Sequence, residues 1–283
     1  MKTKTFKFLF YQIALLCICL TFSKAQTSTC GTVTSKAQML ADLANQQQQE
    51  RGLFFPNRCL GKTLSVTIHI VKDSTGNPGI TLPAIQAALQ LLNTDFAPIC
   101  LSFQICQTLY IDNFNYDKFK YSIHDLEMRT LYYVPNTINM YFVQDLIGQQ
   151  GIPVDGYAYF PGGPDCIVIK KSSVSSPKVI PHEMGHFFGL YHTFETSLGL
   201  ENINGSNCAS AGDLVCDTPA DPGGLNGANC QPNPYQQDAG GNWYVPQIGN
   251  TMSYYTDNCK CGFTTQQYNR MVAQFLASRN YLW

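Results

Sequence analysis

His182-Glu183-Met184-Gly185-His186-Phe187-Phe188-Gly189-Leu190-Tyr191-His192 is the stretch on which the reading of this chain turns. Residues four apart on an α-helix lie on one face, one turn apart, so His182 and His186 can aim their imidazoles at a single point. Glu183 stands one position round the helix, within reach of a water at that point. Gly189 can take a left-handed conformation and end the helix. The chain then bends back and brings in His192 as a third nitrogen donor. Three protein ligands with an open fourth position mark a catalytic zinc site. A closed, structural site would need a fourth protein ligand and would leave Glu183 without a role. Pro181 is comfortable only in a first helical turn, so the helix is expected to start between residues 176 and 180. Of the five histidines, only His69 and His124 lie outside this window. His69 sits in an apolar strand and is expected to be packed and hydrogen-bonded rather than a ligand.

Upstream, residues 64–71 are rich in β-branched side chains and read as a strand. A turn cluster at 73–79 leads into a helix over 81–95, with a capping Thr81, Pro83 in the first turn, and Ile85, Ala88, Leu89 and Leu92 at helical spacing. Further strands are expected at 101–107, 137–143, 157–160 and 166–169. This strand–helix–strand order gives a small mixed sheet, α/β or α+β. Downstream of His192 the character changes: residues 196–249 are rich in Gly, Asn, Pro, Asp and Cys, a long looped region that cross-links or bound ions must order. Thr264 and Gln267 then make a capping box for a closing helix with Tyr268, Met271, Val272, Phe275 and Leu276 on one face.

The ends of the sequence speak to compartment. Lys2, Lys4 and Lys7 precede a mostly apolar run of about 15 residues, short of the roughly 20 needed to span a bilayer. Ser23-Lys24-Ala25 supplies a small residue for cleavage. Residues 1–25 are therefore predicted to be a signal peptide, and the product to be secreted, either extracellular or periplasmic, with no membrane anchor. Their removal leaves fourteen basic and nineteen acidic side chains, a net charge of −5, which does not suggest nucleic acid as a partner. Residues 26–58, with a helix-like stretch at 37–50 and basic Arg51 and Arg58, read as a pro-segment ending at an exposed cleavage site. The rest, residues 59–283, would be one catalytic domain. Ten of twelve cysteines remain after export, and most should pair in an oxidising compartment. Cys259 and Cys261 are too close in sequence to pair comfortably. Cys100 and Cys106 flank an extended segment of roughly 20 Å, too far for a disulfide.

A second element lies about 60 residues after His192, at Asn250-Thr251-Met252-Ser253-Tyr254. That is where a metzincin carries a methionine turn beneath the metal. Met252 fits the turn, and the Tyr254 hydroxyl could stabilise an oxyanion. The windows HEMGHFFGLYHTF, GDLVCDTP and NTMSY, followed by Cys259 and Phe263-Thr264-Thr265-Gln266…Arg270-Met271, resemble the pappalysin family of metzincins, including its small ulilysin-like microbial members. The resemblance spans roughly residues 60–280. It implies an α+β metzincin fold: an upper subdomain at about 59–192 with a mixed twisted sheet and active-site helix, and an irregular, disulfide- and calcium-stabilised lower subdomain at about 193–283 that ends in a helix. It implies endopeptidase activity on protein or peptide substrates. It carries calcium onto Asp213, Asp217 and Thr218, whose hard oxygens suit that ion. It also suggests Cys208–Cys230 and Cys216 with Cys259 or Cys261 as disulfides. Some members hold themselves latent with a pro-segment cysteine on zinc, a role Cys30 could take.

The expected chemistry is metal-assisted hydrolysis with Zn2+ at His182, His186 and His192, Glu183 as general base and Tyr254 at the oxyanion. The strand at 157–160 is a candidate edge for pairing an extended peptide. The same ligand set also serves zinc hydrolases acting on non-peptide substrates.

Overall fold

A computed structural model describes residues 29–50, 59–223, 230–231 and 236–283. The signal peptide expected at 1–25 and the cleavage region expected at 51–58 lie outside these. Among the described residues no helix is long and apolar enough to cross a membrane.

A five-stranded sheet forms the frame. Its strands are β1 (Lys62–Val71), β2 (Leu101–Ile111), β4 (Ile138–Val143), β6 (Gly156–Ala158) and β7 (Cys166–Lys170), in the order β2-β1-β4-β7-β6. All neighbours are parallel except β6, which runs antiparallel to β7 and closes one edge. The sheet is thus mixed, as the sequence implied. A small second sheet pairs β3 (Lys118–Lys120) with β5 (Asp145–Ile147). Alternation in β1 sends Leu64, Val66, Ile68 and Ile70 to one face, all fully buried. They meet α2 (Leu82–Phe96), α4 (Val179–Phe187) and α5 (Thr265–Gln274) in the main core. Thr81 caps α2 as expected, with Oγ1 accepting from Ala84 N, and Ile85, Ala88, Leu89, Leu92 and Phe96 face the sheet.

β2 runs on to Ile111, beyond the expected 107, because a bulge at Cys106 lets pairing resume between Thr67 and Gln107. The opposite face of the sheet meets α3 (Tyr121–Tyr132), which hydrophobic periodicity did not reveal. α3 buries only Asp125 and Met128 and leaves Ile123, Leu126 and Leu131 exposed. Asp125 is its anchor, accepting from Tyr157 OH at 2.7 Å, Tyr159 OH at 2.5 Å and Arg129 at 2.8 Å. His69 is packed rather than ligating. Its Nε2 donates to Asn139 Oδ1 at 2.9 Å and its ring stacks on Tyr141.

The lower region differs from expectation in its cross-links. The disulfides are Cys59–Cys100, Cys208–Cys216 and Cys230–Cys259, replacing Cys208–Cys230 and a bond from Cys216 to Cys259 or Cys261. Local backbone explains the change. Turns at 205–211 and left-handed Leu214 fold the chain back, bringing the Cα atoms of Cys208 and Cys216 to 5.0 Å. Cys30, Cys106, Cys166 and Cys261 remain thiols.

The C-terminal end locks the two halves together. α5 carries the anticipated capping box of Thr264 and Gln267 and passes into a π-helical turn, Phe275–Arg279. Arg279, 1% exposed, pairs with Asp165 at 3.1 Å and donates to the carbonyls of Phe187, Tyr159, Phe160 and Pro164. One guanidinium therefore satisfies the end of α4 and the loop after β6. Its burial is compensated on almost every N–H.

Candidate active site

α4 begins at Val179, within the expected range, with Pro181 in its first turn. Gly189 takes φ 86° and ends it; Leu190 N returns to Gly185 O at 2.9 Å. A side chain at Gly189 would also meet Gln274 Cγ at 2.8 Å, so α5 packs directly on this turn. His192 follows, its ring stacked on Phe194.

The three imidazoles converge. The Nε2 atoms of His182, His186 and His192 lie 3.1–3.2 Å from one another. His182 Nδ1 donates to Thr251 O and His186 Nδ1 to Leu190 O, each at 2.7 Å. A carbonyl only accepts, so these Nδ1 atoms hold the ring protons and the Nε2 lone pairs face each other. Burial lowers all three pKa values, His186 to about 4. For His182 and His192, mutual repulsion and the buried Lys260 add to this. Three neutral nitrogens pressed this close fit a divalent cation of zinc's preference.

Met252 lies below this cluster, fully buried. Its turn is tied at both ends. Met252 N donates to Asn250 Oδ1, and Thr193 N, just after His192, donates to Met252 O. Asn250 in turn exchanges hydrogen bonds with Gln267 in α5. The NTMSY window and the capping box of the last helix are thus one structure.

Glu183 is 1% exposed and faces the same point. Burial pushes its carboxyl up to about 8, while donors on Cys30 and Thr32 pull it back. Those donors come from the N-terminal segment. Residue 30 lies parallel to the edge of β6, with Gly31 N on Gly156 O at 2.7 Å and Thr32 Oγ1 accepting from Ala158 N at 2.9 Å. Cys30 Sγ stands 3.4 Å from Glu183 Oε2, and Thr32 Oγ1 donates to the same oxygen at 3.1 Å. The Cys30 sulfur and the three histidines place their ligand atoms within 4.8 Å of one another. Burial first, then the Glu183 charge, raises the thiol pKa. Tyr254 OH donates to Cys30 O at 3.1 Å, and its ring lies 6.1 Å from that of His182. The edge expected to pair a peptide therefore holds residues 30–32 instead. Thr32 escaped the sequence reading, because nothing local links it to a carboxylate 151 residues away.

The residues assigned to calcium divide. Asp213 is buried, and its carboxylate accepts from Thr218 Oγ1 at 3.0 Å. Asp217 turns away and takes Thr264 Oγ1 at 2.6 Å and Gln266 N at 2.8 Å, so it caps α5 instead. Glu201 comes in where Asp217 was expected. Its Oε2 is buried without a hydrogen-bond partner and would stand 2.8 Å from a Cβ on Gly212. Burial raises Glu201 to about 7. Burial, with the Glu201 charge adding to it, lifts Asp213 well above the carboxylate range. Two buried carboxylates that repel each other, with a hydroxyl alongside, form a donor set suited to a hard cation.

Comparison with known proteins agrees with this geometry. The Peptidase_M43 family model, described as pregnancy-associated plasma protein-A, matches residues 138–276, from β4 through α5. Over those residues the chain is similar to the pappalysin family of zinc metallopeptidases. An extracellular metalloprotease of Arthroderma gypseum is 29% identical over 87% of this chain and 83% of its own length. One from Colletotrichum graminicola is 28% identical over 82% and 83%. Among solved structures, a promirolysin mutant from Tannerella forsythia matches with TM-score 0.64 at 18% identity, covering 90% of this chain and 96% of that one. Mature mirolysin with a cleaved peptide matches with TM-score 0.56 at 18% identity, over 78% and 97%. These likenesses establish the fold as that of a metzincin.

Proposed function

We propose that this protein is a secreted endopeptidase of the pappalysin type made as a latent precursor, with His182, His186 and His192 holding zinc and Glu183 acting as general base. The supporting observation is the convergence of three Nε2 atoms within 3.2 Å, each histidine neutral, with the Glu183 carboxylate facing them. Zinc bound there supplies Lewis acidity, lowering the pKa of water and polarising the scissile carbonyl. Glu183 takes a proton from the attacking water and passes it to the leaving amine. Tyr254, once parted from Cys30 O, is free to donate its hydroxyl to the developing oxyanion. Cys30 and Thr32 cover Glu183 and the fourth ligand direction, so the segment that carries them acts as the latency device. Naming of the relatives as extracellular supports the signal peptide at 1–25. Calcium at Glu201, Asp213 and Thr218 would hold the lower subdomain.

The test compares the matured full-length protein with Glu183→Ala on casein, with zinc content measured on both. Both should retain one zinc per chain, and cleavage should fall by about 10²–10⁴ in the variant. Equal cleavage removes Glu183 from the mechanism. Turnover of esters or simple amides without any cleavage of casein would favour a non-peptide substrate.

A further inference from the structure

We infer that the notch filled by Met39 and Asp42 becomes, once the leader has left, a substrate subsite that takes an acidic side chain flanked by an apolar one. This rests on the latent-precursor reading above. Past Thr32 the leader forms α1 (Lys36–Glu50) and sets two residues, one turn apart, into the body of the protein. Met39 is fully buried against Tyr191 and Leu214, with Phe160 and Leu198 alongside. Asp42 Oδ2 accepts from Tyr191 OH and from Arg270 Nη2 at 3.4 Å.

The receiving groups do not depend on α1 for their positions. Arg270 Nε donates to Gly189 O at 2.7 Å, and the guanidinium lies 4.8 Å over the Tyr191 ring. Both contacts stay when the leader goes. What remains is a phenol hydroxyl and a guanidinium aimed at one spot above an apolar floor. A cation fixed in such a setting gains most from a carboxylate, through charge-assisted hydrogen bonds. The notch also adjoins the reacting centre. The Phe160 ring lies 5.5 Å from His186 and 5.1 Å from Tyr191, and Tyr191 directly precedes the third histidine. Residues 30–32 reach it by following the edge of β6, and an extended substrate pairing with the same edge is led to the same place.

The experiment uses full-length protein after maturation and fluorogenic peptides that differ only by Glu or Gln at successive positions on both sides of the scissile bond. On one side, at one or two positions, Glu should exceed Gln about fivefold in kcat/KM, mostly through KM. Tyr191→Phe, which keeps the ring and its stacking on Arg270, should reduce that ratio, and Arg270→Gln should bring it close to one. Each ratio is taken on a single preparation, so a misfolded fraction cancels. A ratio of one or less at every position overturns the inference, as does a ratio that survives both substitutions. If no peptide is cleaved at all, the protease reading fails instead, and the subsite with it.

Discussion

Gly185 and Met252 meet beside the three converging histidines: a Cβ on Gly185 would stand 2.5 Å from Met252 Sδ. The helix carrying His182 and His186 packs on the methionine turn at a position with no side chain, against a methionine that is fully buried. Gly185→Ala forces either the buried sulfur or the helix to move. The expected cost is about 1–3 kcal/mol, from overpacking a filled site. Denaturant unfolding measures the loss, and zinc titration should show weaker binding, since Thr251 beside the methionine orients His182. A variant as stable as the parent would show that the contact yields freely.

Cys30 and Thr32 place two donors on one oxygen of Glu183. Cys30→Ala in the uncleaved chain should raise peptidase activity well above that of the uncleaved parent, while leaving the matured enzyme unchanged. Thr32→Val should do so more weakly, since it removes one hydrogen bond from Glu183 and one from Ala158 N. An uncleaved Cys30→Ala chain as silent as the parent would mean that chain direction and bulk, not the thiol, keep the site shut.

Glu201 and Asp213 repel each other in a buried setting, so a calcium ion between them should stabilise the lower region by mass action. Melting should fall on treatment with a chelator selective for calcium over zinc and recover with added calcium. Glu201→Gln should flatten that response. Asp217→Asn should leave it intact, because that carboxylate caps α5. Equal calcium dependence in the Glu201 and Asp217 variants would disprove this division of roles.

His69 reports on acid stability. Its Nε2 proton is engaged by Asn139, and its Nδ1 is buried without a partner, so protonation would add an unmatched donor to the core. Burial lowers its pKa from 6.5 to about 4. The unfolded chain therefore binds a proton in this window while the folded one does not, and stability is lost as pH falls from 6.5 towards 4, by roughly 3 kcal/mol in total. Above 6.5 the group contributes no slope. Unfolding of the parent and of His69→Gln at pH 7.5 and 4.5 isolates the effect, and parallel losses in both would assign it elsewhere.

Spacing made α4, its glycine stop and the third histidine legible in the sequence, because each depends on neighbours within a turn or two. The capped last helix was legible for the same reason, whereas the methionine turn was read from its likeness to the metzincin pattern about 60 residues after His192. What escaped notice depends on contacts distant along the chain. α3 docks through one buried aspartate and exposes its leucines, so an apolar-face rule cannot see it. Cys208 finds Cys216 through turn geometry rather than through family pattern. Asp217 looked like a calcium ligand beside Asp213, yet in the fold its carboxylate accepts from Thr264 and Gln266, partners about 50 residues away.

Cys59 is bonded to Cys100, at the turn where α2 gives way to β2. Any nick made between residues 50 and 59 thus leaves the severed end stapled beside the inner strand β1. Loss of everything before such a nick would not loosen the frame, and fraying from the fresh terminus would stop at the staple. Reductant should therefore harm the processed molecule more than its precursor, whose chain continues upstream into α1 and the contacts of residues 29–32.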